Sequence, residues 1–194
     1  MPENLHKLFV ISSPSGGGKT SLINKLFEDS RSANFEKSIS DTSRQKRQGD
    51  LEGKDYYFLS EKDFKDKIKK EEYVEYATVF GNFYGTSKEE IKTKYNNSNL
   101  ILELDWQGAY AVKELFDDAK LIFLLPPSLD DLKQRLIKRN LDSSKAIESR
   151  LSEAKKEISK SEMYDYLVLN DDFDKAFEDL SQILFEGISP IDFN

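Results

Sequence analysis

Residues 8–21 read Leu8-Phe9-Val10-Ile11-Ser12-Ser13-Pro14-Ser15-Gly16-Gly17-Gly18-Lys19-Thr20-Ser21. Leu8–Ser12 is an apolar run of strand length, and three consecutive glycines follow it. Leu22, Ile23, Leu26 and Phe27 then form an i, i+4 apolar stripe, which predicts a helix over Ser21–Asp29. A strand, a glycine-rich turn and a helix opening at Gly-Lys-Thr form the setting in which backbone N–H groups turn inward around phosphate oxygens. The helix dipole adds to the attraction. Lys19 is then expected to reach β- and γ-phosphates, and the Thr20 hydroxyl to hold Mg²⁺ directly. Ser13 stands where such loops usually carry their first glycine, a position that shapes the turn and does not supply the charge.

The pattern outside this loop alternates strand and helix. Asn99–Asp105, Lys120–Leu125 and Tyr166–Leu169 are further apolar runs of strand length. Tyr110, Val112, Leu115 and Phe116 mark a helix between the first two. Phe173–Phe185 reads as a closing helix with Phe173, Phe177, Leu180 and Leu184 on one face. This alternation predicts a parallel sheet covered on both faces, a three-layer αβα core.

Two segments break the rhythm. Residues 36–86 read as a β-rich insertion. Tyr73–Phe80 alternates with Val74, Tyr76, Thr78 and Phe80 on one face, and Gly81-Asn82 is a glycine-first hairpin turn. Glu75 falls on the opposite face, toward the cleft. Residues 128–161 read as a helical hairpin. Ser128 and Asp131 form a capping box with Asp in the usual Glu or Gln place, and Lys133, Arg135, Lys138 and Arg139 line one charged face.

Composition excludes several classes of chemistry. The chain has 194 residues and no cysteine, so it has no disulfides, thiolate metal sites or cysteine nucleophiles, and a reducing, cytoplasmic setting is expected. Its one histidine, His6, excludes histidine-cluster metal sites. The longest apolar run, Leu121–Leu125, is too short to span a membrane, and Phe9-Val10-Ile11 is too short for a signal peptide. A net charge of −7 argues against bulk attraction to nucleic acid or anionic lipid. Against that background, five of the six arginines cluster as Arg44 and Arg47, then Arg135, Arg139 and Arg150. The planar guanidinium fork suits phosphate.

The strand Leu100–Asp105 ends in carboxylates and brings Asp105 toward Mg²⁺ and its waters. Asp105-Trp106-Gln107-Gly108 also fits the D-x-x-G pattern of GTPases. The only Asn-Lys pair, Asn24-Lys25, lies inside the first helix, so the guanine reader of that class is missing.

At this point the chain resembles the guanylate kinase family over residues 5–187. Ser13–Lys19 is similar to that family's phosphate loop. Ser40-Asp41-Thr42-Ser43-Arg44-Gln45-Lys46-Arg47 and Gly53-Lys54-Asp55-Tyr56 resemble its nucleotide-monophosphate signature. Gly81–Thr86, Leu102–Gly108, Pro126-Pro127-Ser128 and Asn170-Asp171-Asp172 match further blocks. The resemblance implies a P-loop kinase core (1–35, 87–127, 162–194) with a GMP-binding insertion (36–86) and a lid (128–161). It implies the reaction ATP + GMP = ADP + GDP with Mg²⁺.

By the same resemblance, Ser13, Pro14, Ser15, Gly16, Gly17, Gly18, Lys19, Thr20, Ser21 and Asn170 would bind ATP, Asn170 near the adenine. Arg44, Arg47, Tyr56 and Tyr84 would hold the GMP phosphate. Ser40, Glu75 and Thr86 would read guanine, with Glu103 and Asp105 close by, Asp105 also meeting the metal through water. Lys19, Arg44, Arg135, Arg139 and Arg150 would act on the transferring phosphate. Gln45-Lys46 replaces the more usual Thr-Pro between the two arginines. Two alternatives are a non-catalytic, phosphopeptide-binding module of the same fold and a kinase for another nucleoside monophosphate. Such modules typically lose the loop lysine or lid arginines, all of which are present here. Monomer and homodimer both stay open.

Overall fold

The computed structural model describes residues 6–79, 81–139 and 144–188; the side chains of Val79, Arg139 and Ser144 lie outside that description. Phe80, expected on the face of Val74, lies outside the described residues, as does the side chain of Arg139.

Five strands form a wholly parallel sheet: β1 (Leu8–Ser12), β2 (Phe35–Lys37), β7 (Asn99–Glu103), β8 (Lys120–Leu125) and β9 (Tyr166–Leu169), in the order β2-β7-β1-β8-β9. The strands are short runs of Leu, Ile, Val and Phe, as a sheet buried on both faces requires. Alternate side chains of β1 go to opposite layers. Leu8 and Val10 join Leu100, Leu102, Leu121 and Phe123 in one core, under α3 (Lys88–Tyr95) and α4 (Trp106–Leu115). Phe9 and Ile11 join Ile101, Ile122 and Leu124 in the other, under α1 (Lys19–Glu28) and α7 (Phe173–Ser181). This is the expected three-layer αβα arrangement.

The edge strand β2 was not legible as a strand. It takes Glu36 and Lys37 out of the expected insertion and into the core sheet. The stripe assigned to α4 is also corrected. Its buried residues are Gly108, Ala109 and Val112, whereas Tyr110 and Leu115 are half exposed. The closing helix is α7 only to Ser181 and continues as a π-helical turn over Gln182–Glu186.

A second sheet, β4-β3-β6-β5, is built from β3 (Asp41–Thr42), β4 (Tyr57–Phe58), β5 (Tyr73–Val79) and β6 (Asn82–Ser87). The segment is less β-rich than expected, because α2 (Glu61–Lys69) lies across it, capped by the Ser60 side chain. Phe64 of α2 is fully buried and stacks on Tyr73 and Phe83. The apolar face of the hairpin is therefore carried by Tyr73 and Phe83, and Tyr76 and Thr78 are exposed. A bulge between Tyr73 and Glu75 shifts the alternation. Val79 pairs with Asn82, so Gly81, with φ 77°, takes the second place of the turn, not the first.

Two further α-helices are α5 (Leu129–Arg139) and α6 (Ser144–Ile158). The serine half of the capping box is present: the Asp131 N–H donates to Ser128 Oγ at 3.0 Å, and the Asp131 carboxylate accepts the Ser128 hydroxyl in place of the reciprocal backbone bond. No described helix is long and apolar enough to cross a membrane.

Candidate active site

The loop between β1 and α1 opens at the carboxyl end of the central strand, between β7 and β8, where open α/β sheets leave a crevice. Gly16 and Gly18 are left-handed, with φ 89° and 92°. A side chain at Gly18 would also collide with Asn170, whose Nδ2 lies 2.4 Å from the place of a Cβ. Both facts require glycine there. Residues 13–21 line a cleft of about 180 Å³.

Helices α5 and α6 lie against this loop. Leu132 and Leu136 of α5 pack over Gly16, each 3.2 Å from the place of a Cβ. Arg150 Nη1 donates to Ser15 Oγ at 2.6 Å. Arg135 Nη2 donates to the Asn170 carbonyl at 2.8 Å. Asn170 is buried, and its Nδ2 donates to the Gly17 carbonyl at 2.7 Å. The structure thus sets Asn170 as a brace beneath the loop, tied to α5 through Arg135.

Lys19 opens α1, and its Nζ donates to the Leu104 carbonyl at 3.3 Å. Burial pushes its pKa down, while Glu103, Glu157 and Asp105 act in the opposite sense. The Thr20 hydroxyl donates to Glu103 Oε1 at 2.8 Å, and Lys37 Nζ lies 3.0 Å from Glu103 Oε2. Burial would raise the Glu103 pKa; Lys37, Lys19 and the Thr20 hydroxyl outweigh it and hold the carboxyl below its ordinary value. Glu103, expected among the GMP-facing groups, is hydrogen-bonded on the phosphate-loop side, though its charge also reaches Tyr56. Asp105 caps α4, accepting the Gly108 N–H at 2.9 Å.

Facing the loop is a second cluster, on the insertion. Glu75 is bonded to Thr86, and burial raises its pKa. The fully buried Thr86 has Ser40 Oγ 3.3 Å from its hydroxyl. Glu75 passes so close to Gly108 that a Cβ there would meet its Cγ at 3.0 Å. Beside this trio, the rings of Tyr56 and Tyr84 meet edge to face at 5.8 Å, and the Arg44 guanidinium lies 5.5 Å from the Tyr56 ring. Arg44 pairs with Asp50 at 2.8 Å, and Arg47, exposed, donates its N–H to the same carboxylate. Ser21 is exposed on α1.

Three charged residues of the site were not anticipated: Lys37, Asp50 and Glu157. Glu157 reaches in from α6. Burial lifts its pKa to about 7, against the pull of Lys19, with Asp105 and Glu153 adding to the rise. No local pattern marks Lys37 or Glu157, since each meets the site only through packing of β2 and α6. Asp50 had a weak signal in its closeness to the two arginines.

The sequence profile described as guanylate kinase matches residues 5–187. A guanylate kinase of Wolbachia sp. subsp. Brugia malayi is 46% identical over 184 residues, covering 94% of this chain and 93% of that one. One from Hahella chejuensis is 48% identical, covering 91% and 85%. The crystal structure of guanylate kinase from Anaplasma phagocytophilum superposes with a TM-score of 0.72 at 34% identity, covering 95% of this chain and 87% of that chain. With the profile matched over residues 5–187, relatives near 46% identity over almost the whole length, and the same fold, the chain belongs to the guanylate kinase family.

Proposed function

We propose that this protein transfers the γ-phosphoryl group of ATP to the phosphate of GMP, giving ADP and GDP. The observation that carries the choice of acceptor is the Glu75–Thr86–Ser40 cluster at the first turn of α4. Guanine offers N1–H and the N2 amino group as adjacent donors, which one carboxylate accepts together, and a hydroxyl can donate to O6. Adenine presents an acceptor at N1, so the same buried groups would stay unpaired, and this is a strong basis for rejection.

The acceptor phosphate needs no general base, because its second pKa near ~6 leaves it ionised. The reaction needs alignment and charge compensation instead. ATP and GMP together bring roughly six negative charges. Lys19 and the loop N–H groups hold the β- and γ-phosphates. Arg44, Arg47, Tyr56 and Tyr84 hold the GMP phosphate, for which Arg44 exchanges its Asp50 partner. Arg135, Arg139 and Arg150 close over the transferring group. Residues 38–86 form the GMP-binding unit and 128–161 the lid. Asn170 supports the ATP side by bracing Gly17.

The donors near Thr20 are all oxygens: its hydroxyl, Glu103 and Asp105. That hard set suits Mg²⁺, which keeps most of its water and shares substrate phosphates. Thr20 would hold the ion directly and Asp105 through water. When bound, Mg²⁺ neutralises charge on the β- and γ-oxygens. A cysteine-free chain acting on nucleotides suits a cytoplasmic enzyme of purine nucleotide recycling.

The test is ADP release from MgATP with GMP, AMP, UMP and dTMP in turn. Turnover with GMP, at least a hundredfold above the rest, is expected. Equal turnover with AMP would defeat the base assignment, and turnover with none would return the phosphopeptide-binding module.

A further inference from the structure

Lys37 is the last residue of β2, the edge strand beside β7, and its side chain reaches the end of β7 where Glu103 stands. The two oxygens of Glu103 have different partners. Oε2 faces the Lys37 ammonium at 3.0 Å, and Oε1 accepts the Thr20 hydroxyl at 2.8 Å. One carboxylate therefore links an ammonium on the sheet edge to the hydroxyl at the start of α1. The strand end that carries Lys37 is itself tied down. Lys94 of α3 donates to the Lys37 carbonyl at 2.8 Å and pairs with Glu90, and Glu90 accepts the Ile39 N–H at 2.9 Å.

We propose that Lys37 is a positioning residue for the divalent ion, holding Glu103 so that the Thr20 hydroxyl turns its proton into the protein and its lone pairs toward the phosphate cleft. The inference rests on the reading of Thr20 as the metal-holding hydroxyl. A threonine hydroxyl has one proton and two lone pairs on a free rotor. With the proton turned outward it opposes a cation; donating to Glu103 settles the rotor. Glu103 can do this only if its own flexible side chain is fixed, and ordering such a side chain is entropically costly. Lys37 supplies the second anchor. Lys19 also acts on Glu103 by charge, but its Nζ is directed to the Leu104 carbonyl. Glu103 is the partner bonded to the metal-holding hydroxyl, and such partners typically change metal affinity by about 10–100-fold. Lys37, one step further out, acts through it and is expected at the lower end of that range. An ordinary exposed ion pair would change only stability, and little of that.

The probe is Mn²⁺ binding to the protein with saturating ADP, followed by electron paramagnetic resonance at fixed pH. Lys37→Met is expected to weaken Mn²⁺ binding roughly tenfold, with the melting temperature unchanged. Lys37→Arg, which keeps the charge and reach, should restore affinity to within about twofold. In a Glu103→Gln background, Lys37→Met should make no further difference, because the link is already cut. Mn²⁺ affinity within twofold of wild type in Lys37→Met, tighter binding, or an equal further loss in Glu103→Gln overturns the proposal. If the wild-type protein adds nothing to the Mn²⁺ affinity of ADP alone, the metal role of Thr20 falls, and this inference falls with it. If wild type binds and Lys37→Met binds equally, only the role of Lys37 falls.

Discussion

The phosphate-loop end of the cleft comes from one stretch of chain, Ser13 to Ser21, and works largely through backbone N–H groups and left-handed glycines. The end proposed to face the base comes from three separate stretches of chain: Ser40 just before β3, Glu75 in β5 and Thr86 in β6, and it works through side chains. A backbone cradle holds any polyphosphate and discriminates little. A side-chain cluster buried against Gly108 is specific, because each group is costly to leave unpaired. On the proposed reading, the difference teaches that the grip on the donor polyphosphate sits in a local motif, whereas the choice of acceptor sits in the tertiary fold.

The sharpest way to break this division is to remove one charge at the loop end. Lys19→Met keeps the bulk of the stem and the loop backbone. Turnover should fall by roughly 10²–10³, about 3–4 kcal/mol, as for a lost charge-stabilising donor. The melting temperature should hold. Retention of more than a tenth of wild-type kcat would mean that Lys19 is not the transition-state group.

The base end should respond differently. Glu75→Gln turns one acceptor into a donor and should lower kcat/KM for GMP by about 1–3 kcal/mol, with KM for ATP nearly unchanged. Steady-state kinetics on both nucleotides decide it. An unchanged GMP constant would show that guanine is read elsewhere. Equal losses on GMP and ATP would show that the two ends are not separable.

The α5–α6 hairpin, which packs on the loop end, gives two smaller effects. Ser128→Ala removes the cap of α5 and should cost about 1 kcal/mol of helix stability. Thermal unfolding and protease sensitivity of residues 129–139 would report it, and an unchanged lid would mean the capping box is dispensable. Glu157 titrates near pH 7 in the folded protein, well above an ordinary carboxyl. The folded state thus holds a proton that the unfolded chain releases at lower pH. Its contribution is present at acid pH and is lost as pH rises toward and through about 7. Comparing melting temperatures from pH 5 to 8, wild type should lose more stability than Glu157→Gln. Parallel curves would show that Glu157 is solvated.

How much of this could be read in the sequence follows the same division. The loop, Lys19 and Thr20 were legible because nine adjacent residues carry them, and the buried strands announced themselves as apolar runs. Glu75 was placed toward the cleft on an alternation that the structure revises. A bulge at Tyr73/Glu75 and stacking of Phe64 on Tyr73 and Phe83 decide that face, and neither has a period to detect. The strand β2 is three residues long, with Glu36 and Lys37 in it, and becomes a strand only by pairing with β7. Lys37 and Glu157 were missed because sheet order and lid docking, not spacing, bring them to Glu103 and Lys19. Asn170 was expected near adenine, and its bond to Gly17 depends on β9 ending beside β8.

The central claim, direct transfer from ATP to the phosphate of GMP, is tested most directly by following the label of [γ-³²P]ATP with GMP present. The account predicts that label appears in the β-phosphate of GDP, in step with ADP, and that Lys19→Met slows both equally. Label released as inorganic phosphate, or retained on the protein, would contradict it.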